Sequence, residues 1–114
     1  DHSLVNVSLL YKLHKAGARA VALDDYSEMT VTAKEPSYID GSFQFFSLLN
    51  MFGPSRAVTI TGAKYNLSGA EIRPEDQYAT SNEVEPGRTA CVTVGEGELL
   101  LIKVFRDHAD LALR

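Results

Sequence analysis

Asp40-Gly41-Ser42-Phe43-Gln44-Phe45-Phe46-Ser47-Leu48-Leu49-Asn50-Met51-Phe52-Gly53-Pro54 is the stretch on which the fold turns. Asp40-Gly41-Ser42 carries N-cap chemistry, a short polar side chain able to accept from the unpaired N–H groups of a first helical turn. Phe43, Phe45, Phe46, Leu48, Leu49, Met51 and Phe52 then supply apolar residues densely enough for a short helix. Gly53-Pro54 closes it, because proline cannot continue a helix. The pattern therefore predicts a helix over 43–52.

Upstream, Leu4, Val5, Val7, Leu9, Leu10, Tyr11 and Leu13 recur at helical spacing over 3–16, with Asp1 or Ser3 as cap and Gly17 as terminator. Residues 18–23 read as a strand. Asp24-Asp25-Tyr26-Ser27 has turn chemistry, since short Asp and Ser side chains bond their own backbone. Met29-Thr30-Val31-Thr32-Ala33 alternates with the period of a half-buried strand, which Pro36 ends.

Downstream, Arg56 to Thr61 reads as a third strand. Residues 66–87 turn polar, with Pro74, Pro86 and several acids, and form either a long excursion or a partly mobile insertion. Residues 89–94 and 99–105 flank Gly95-Glu96-Gly97 as a closing hairpin. Leu99-Leu100-Leu101-Ile102 is apolar on both faces, which places it centrally in a sheet.

These elements give an α+β class with a ferredoxin-like αββαββ order: a four-stranded antiparallel sheet with two helices on one face. The expected organisation is a single domain over 1–114 with a polar insertion at about 66–87. Two halves match in outline. Ser8-Leu9-Leu10 precedes Arg19-Ala20-Val21-Ala22-Leu23, and Ser47-Leu48-Leu49 precedes Arg56-Ala57-Val58-Thr59-Ile60. Internal duplication and convergent helix-then-strand patterning both account for the match.

Composition narrows the functional classes. With 45% hydrophobic and 23% charged residues the chain is an ordinary globular one. Its formal net charge of −4 and scattered lysines and arginines speak against nucleic acid, which draws positive charge onto one face. The single cysteine, Cys91, lies in an apolar run and reads as a buried inert thiol. No stretch of about 18 apolar residues is present to span a bilayer. The chain opens at Asp1, so an excised piece of a membrane-anchored parent is one expectation.

No residue earns a catalytic, cofactor-binding or metal-binding role, and no cofactor is expected. His2, His14 and His108 are far apart and lack ligand spacing. The acidic pairs Asp24/Asp25, Glu75/Asp76, Glu83/Glu85 and Glu96/Glu98 fall, Glu98 apart, in turns or the polar segment, where solvated carboxylates keep ordinary acidity. Asn6-Val7-Ser8 and Asn66-Leu67-Ser68 match the glycosylation triplet, the first inside a helix.

The two helices carry more apolar surface than a helix lying on a sheet needs. Val5, Leu9 and Leu13 on the first and Phe43 and Phe46 on the second form a candidate interface, for self-association as a homodimer or for pairing with a sister subunit.

The αββαββ order resembles the circularly permuted ferredoxin-like domains of PilO/PilN/GspM type, from type IV pilus and type II secretion platforms. Tyr38 to Leu49 followed by Arg56-Ala57-Val58-Thr59-Ile60 also resembles them. The resemblance implies a non-enzymatic scaffold domain, periplasmic or membrane-associated, with a cytoplasmic place left open. An alternative resemblance is to the phosphocarrier HPr, through Leu13-His14, Ala18, Ser27 to Thr32 and Val58-Thr59-Ile60. It implies phosphorylation on His14. Lys15-Ala16-Gly17 departs from that family's pattern, which sets an arginine and a proline after the histidine. Residues 54–105 also resemble the C-terminal barrel of formyltransferases, a binding module.

Overall fold

The computed structural model describes residues 2–75 and 80–106, side chains of residues 2–6 excepted. Helix α1 (His2–Lys15) places Lys12, His14 and Lys15 in its last turn, where cations meet the carbonyl end of the helix dipole. Gly17, at φ 84°, ends it in the left-handed conformation that a Cβ disfavours.

Eight strands follow among the described residues: β1 (Val21–Leu23), β2 (Ser27–Thr32), β3 (Ser37–Ile39), β4 (Phe43–Leu49), β5 (Ser55–Thr61), β6 (Leu67–Ile72), β7 (Ala90–Glu96) and β8 (Leu99–Phe105). They build two four-stranded sheets, ordered β1-β2-β8-β4 and β3-β7-β5-β6. Every pairing is antiparallel. Phe46, Leu48, Leu99 and Leu101 of the first sheet and Ile39, Val58, Ile60 and Val92 of the second belong to one buried cluster. The sheets therefore face each other as a β-sandwich.

This overturns the ferredoxin-like αββαββ expectation with two helices on one face. The stretch 43–52 is strand β4 and its exit, not a helix. The misleading signal has a physical source. A bulge between Phe43 and Phe45 adds a residue to β4 against β8. Phe43 and Phe46 are consequently both buried although three positions apart, an interval that imitates one turn of helix. Beyond the bulge the strand alternates. Phe46 and Leu48 point into the core, while Phe45, Ser47 and Leu49 share the other face. The suggested duplication fails with the helix, since residues 8–10 are helical and 47–49 extended.

The turn before β4 keeps the chemistry expected of an N-cap while leading into a strand. The Asp40 carboxylate accepts from the Ser42 hydroxyl and, at 2.9 Å, from the Ser42 N–H. The Ser42 hydroxyl first, and its N–H second, hold the Asp40 carboxyl below its ordinary pKa of 3.8.

The two-faced apolar run at 99–102 does lie centrally, with β8 between β2 and β4. Leu99 and Leu101 point inward to the main cluster, and Leu100 points outward yet is buried. Its cross-strand neighbours Val31 and Leu49 share that outer face. Helix α1 contacts β1 and β2, buries Leu10, and stacks Tyr11 on Phe52 at 4.4 Å just past the end of β4. It thus covers the outer face over Leu100 and leaves the stretch around Phe45, Ile102 and Val104 only partly covered.

Residues 66–87, polar in sequence, contain β6, which pairs with β5, and two isolated bridges, Phe46 to Asn82 and Ala63 to Val84. The second half of the segment thus ties the sheets together along the free edge of β4.

Candidate functional site at the β4 corner

At that edge the chain adopts a costly conformation. Ser81 has φ 51°, a left-handed backbone that non-glycine residues avoid. Such strain persists only where surrounding bonds over-determine it, and it concentrates at functional sites. Asn82 supplies those bonds. Only 2% exposed, it exchanges both backbone hydrogen bonds with Phe46, at 2.9 and 2.8 Å. Its side-chain Oδ1 accepts from the N–H groups of Tyr65 (3.0 Å) and Glu83 (2.9 Å), and its Nδ2 donates to the Tyr65 carbonyl at 2.7 Å. The Ser81 N–H donates to the Ser47 hydroxyl oxygen at 2.8 Å.

The corner so fixed has a defined surface. Phe45 and Ser47 lie two apart on the outer face of β4, opposite Val104 and Ile102. Phe45 is 36% exposed, a flat aromatic surface in reach of solvent. Ser81 is exposed beside it. An aromatic plate flanked by two hydroxyls and backed by apolar β8 suits a flat heteroaromatic ring with hydrogen-bonding edges. On the next segment, Tyr65 first and Glu83 second raise the Lys64 pKa above 10.5, so Lys64 stays a cation. It stands 3.5 Å from Glu83.

A cleft of about 480 Å³ opens between the end of α1, β2 and the β7–β8 turn. Several of the polar groups around it are already engaged. Lys15 pairs with Glu98 at 2.7 Å and Arg19 with Glu35 at 2.9 Å. Thr30 donates to the Ala20 carbonyl, and Thr32 bonds Ser37. The β4 corner is the better candidate because Phe45 and Ser81 are exposed beside Ser47 and the Ser81 backbone is strained.

The residues singled out in the sequence fall elsewhere. Phe43 and Phe46 are buried between the sheets, Leu9 is exposed on α1, and Leu13 is half-buried. The Val5 side chain lies outside the described set. Phe43 and Phe46 share no surface with Leu9 and Leu13, because β4 turns both phenylalanines into the core, away from the helix. His14 sits in the last turn of α1 with the Glu98 carboxylate 3.9 Å from its Nε2. A phosphoryl group there would face a carboxylate that repels it. Phe45, Ser47, Ser81 and Asn82 were missed as a group. Their one sequence signal is Ser81-Asn82, small polar residues suited to a left-handed corner.

Residues 29–99 match the family model for the vitamin B1 binding domain of thiamin pyrophosphokinase. Among solved structures, the thiamine pyrophosphokinase of Bacillus subtilis superposes with a TM-score of 0.83 at 23% identity, over 93% of this chain and 50% of its own. That of Geobacillus thermodenitrificans gives 0.78 at 25%, over 91% and 48%. The yeast enzyme gives 0.73 at 13%, over 92% and 36%. The chain thus spans about half, or less, of the length of these proteins. No curated protein sequence matches it.

These findings overturn the resemblance to PilO/PilN/GspM-type domains and the non-enzymatic pilus or secretion scaffold that it implied. They overturn the HPr-like phosphocarrier alternative on His14 as well, because the family is named for an enzyme of a different kind. The matched residues run from β2 to the first residue of β8 and include both β4 and the Ser81–Asn82 corner, which is well over half of the sequence. The chain belongs to the thiamin pyrophosphokinase vitamin B1 binding domain family.

Proposed function

We propose that this domain is the thiamin-recognising part of a thiamin pyrophosphokinase, seating the vitamin's aminopyrimidine ring on Phe45 at the β4 corner. The observation that carries the reading is the family match, which runs through the strand and the loop that build the corner. Electrostatics agree. Thiamin carries a positive thiazolium ring, and a chain of net charge −4 attracts a cation.

In the full reaction the thiamin hydroxyl oxygen bonds to the β-phosphorus of a nucleoside triphosphate. The bridge between its α- and β-phosphates breaks, and the nucleoside monophosphate leaves. The corner's share is to hold and orient the acceptor, so that a bimolecular encounter becomes a positioned one.

Calorimetric titration with thiamin tests the reading. The protein is expected to bind, and Phe45→Ala to weaken binding about 10- to 100-fold, the equivalent of ~1–3 kcal/mol for one lost ring stack. Phe45 contributes nothing to the buried cluster, so the variant is expected to keep its circular dichroism and melting point. No heat from thiamin at millimolar concentration would sink the proposal.

Self-association belongs to the same proposal. The exposed Leu9, Val21 and Leu23 favour burial against another copy. Sedimentation velocity is expected to show a concentration-dependent dimer. A strict monomer at the highest attainable concentration would exclude it.

A further inference from the structure

Ser47 has an unspent hydrogen bond. Its Oγ accepts the Ser81 N–H at 2.8 Å, which occupies one lone pair and fixes the side chain against the corner. A serine hydroxyl also carries one proton to donate. Among the described residues that proton meets no acceptor. The neighbours on its face are Phe45 and Leu49 along the strand and Ile102 across it, all apolar. With the Ser81 side of the oxygen taken, the O–H is left to turn toward the open surface beside Phe45.

We propose that Ser47 is a specificity residue, its hydroxyl donating to a ring nitrogen of the aminopyrimidine seated on Phe45. This rests on the thiamin reading and adds the feature by which the site would choose its ring. In an aminopyrimidine the ring nitrogens are acceptors, and a serine proton matches one of them. Replacing the amino group by an oxo group, as in oxythiamin, places a hydrogen on a ring nitrogen and turns that acceptor into a donor. The Ser47 proton would then face another proton. A site built around one hydrogen bond rejects the mismatched analogue because its polar group is left unpaired.

The test is a set of dissociation constants for thiamin and oxythiamin with the wild type, Ser47→Ala and Ser47→Thr. The wild type is expected to prefer thiamin. Ser47→Ala is expected to weaken thiamin about tenfold, the loss of one hydrogen bond, while oxythiamin binding stays within about twofold, so the preference collapses. Ser47→Thr, which keeps the hydroxyl, is expected to keep the preference. An equal loss for both ligands in Ser47→Ala would show that Ser47 serves only to hold Ser81 in place, and would overturn the proposal. So would an unchanged preference. A wild-type protein that binds neither ligand would instead remove the thiamin reading together with this one.

Discussion

Gly62→Ala is expected to destabilise the protein by about 2–5 kcal/mol, from ~1–2 kcal/mol of left-handed strain and ~1–3 kcal/mol of overpacking. Gly62 follows β5 at φ 72°. A Cβ there would stand 2.5 Å from the carbonyl oxygen of Thr89, a backbone atom that moves only if β7 moves with it. The Gly62 carbonyl accepts the Glu85 N–H at 3.0 Å, and the next residue bridges to Val84. One methyl group therefore strains three segments at once. A domain of this size has roughly 5–15 kcal/mol of stability in total, so the loss should be plain in a urea titration. A change below about 1 kcal/mol would mean that residues 88–90 yield without cost, against the geometry described.

Asn82→Ala is expected to be as damaging, for a different reason. It creates little cavity but strands polar groups. The N–H groups of Tyr65 and Glu83 lose their acceptor, and the Tyr65 carbonyl loses its donor. Buried groups left unpaired cost ~1–3 kcal/mol each, so about 3 kcal/mol or more is expected in denaturant titration. The variant should also lose thiamin affinity by at least about tenfold, since the Asn82 side chain anchors the residue next to Ser81 and the Ser47 hydroxyl is then the main bond left to hold the strained angle. Asn82→Asp discriminates further. It keeps the acceptor but sets an oxygen against the Tyr65 carbonyl, and should fail to restore stability. Stability within about 0.5 kcal/mol of wild type for Asn82→Ala would contradict the role given to this side chain.

Several features of the fold were open to inspection in the sequence because local chemistry dictates them. Strands β7 and β8 announce themselves through apolar runs on either side of Gly95-Glu96-Gly97, but the closing hairpin expected there does not form, since β7 pairs with β3 and β5 in one sheet and β8 with β2 and β4 in the other. Gly97 indeed takes φ 89° at the turn. Helix α1 and the ends of β2 and β5 also fall close to expectation. The decisive error was β4. Its core face and its outer face are both apolar, which erases the alternation by which a strand is recognised. The bulge at Phe43–Phe45 then replaces an interval of two with one of three. β6 was hidden differently. As an edge strand whose residues are largely exposed, it needs few apolar residues. The site was illegible for a third reason. Ser47 lies 34 positions before Ser81, and only pairing along the edge of β4 joins it to the Ser81–Asn82 corner.

The bridge between Asn82 and Phe46 has a consequence beyond recognition. β4 is the terminal strand of its sheet, seven residues long and bearing three phenylalanines. Long aromatic edges recruit further strands and seed cross-β assembly. By occupying the Phe46 N–H and carbonyl, the loop denies the middle of that strand to an intruding chain. Substrate recognition and protection from fibril formation would then rest on the same residue, so variants that loosen Asn82 should aggregate as well as lose their ligand.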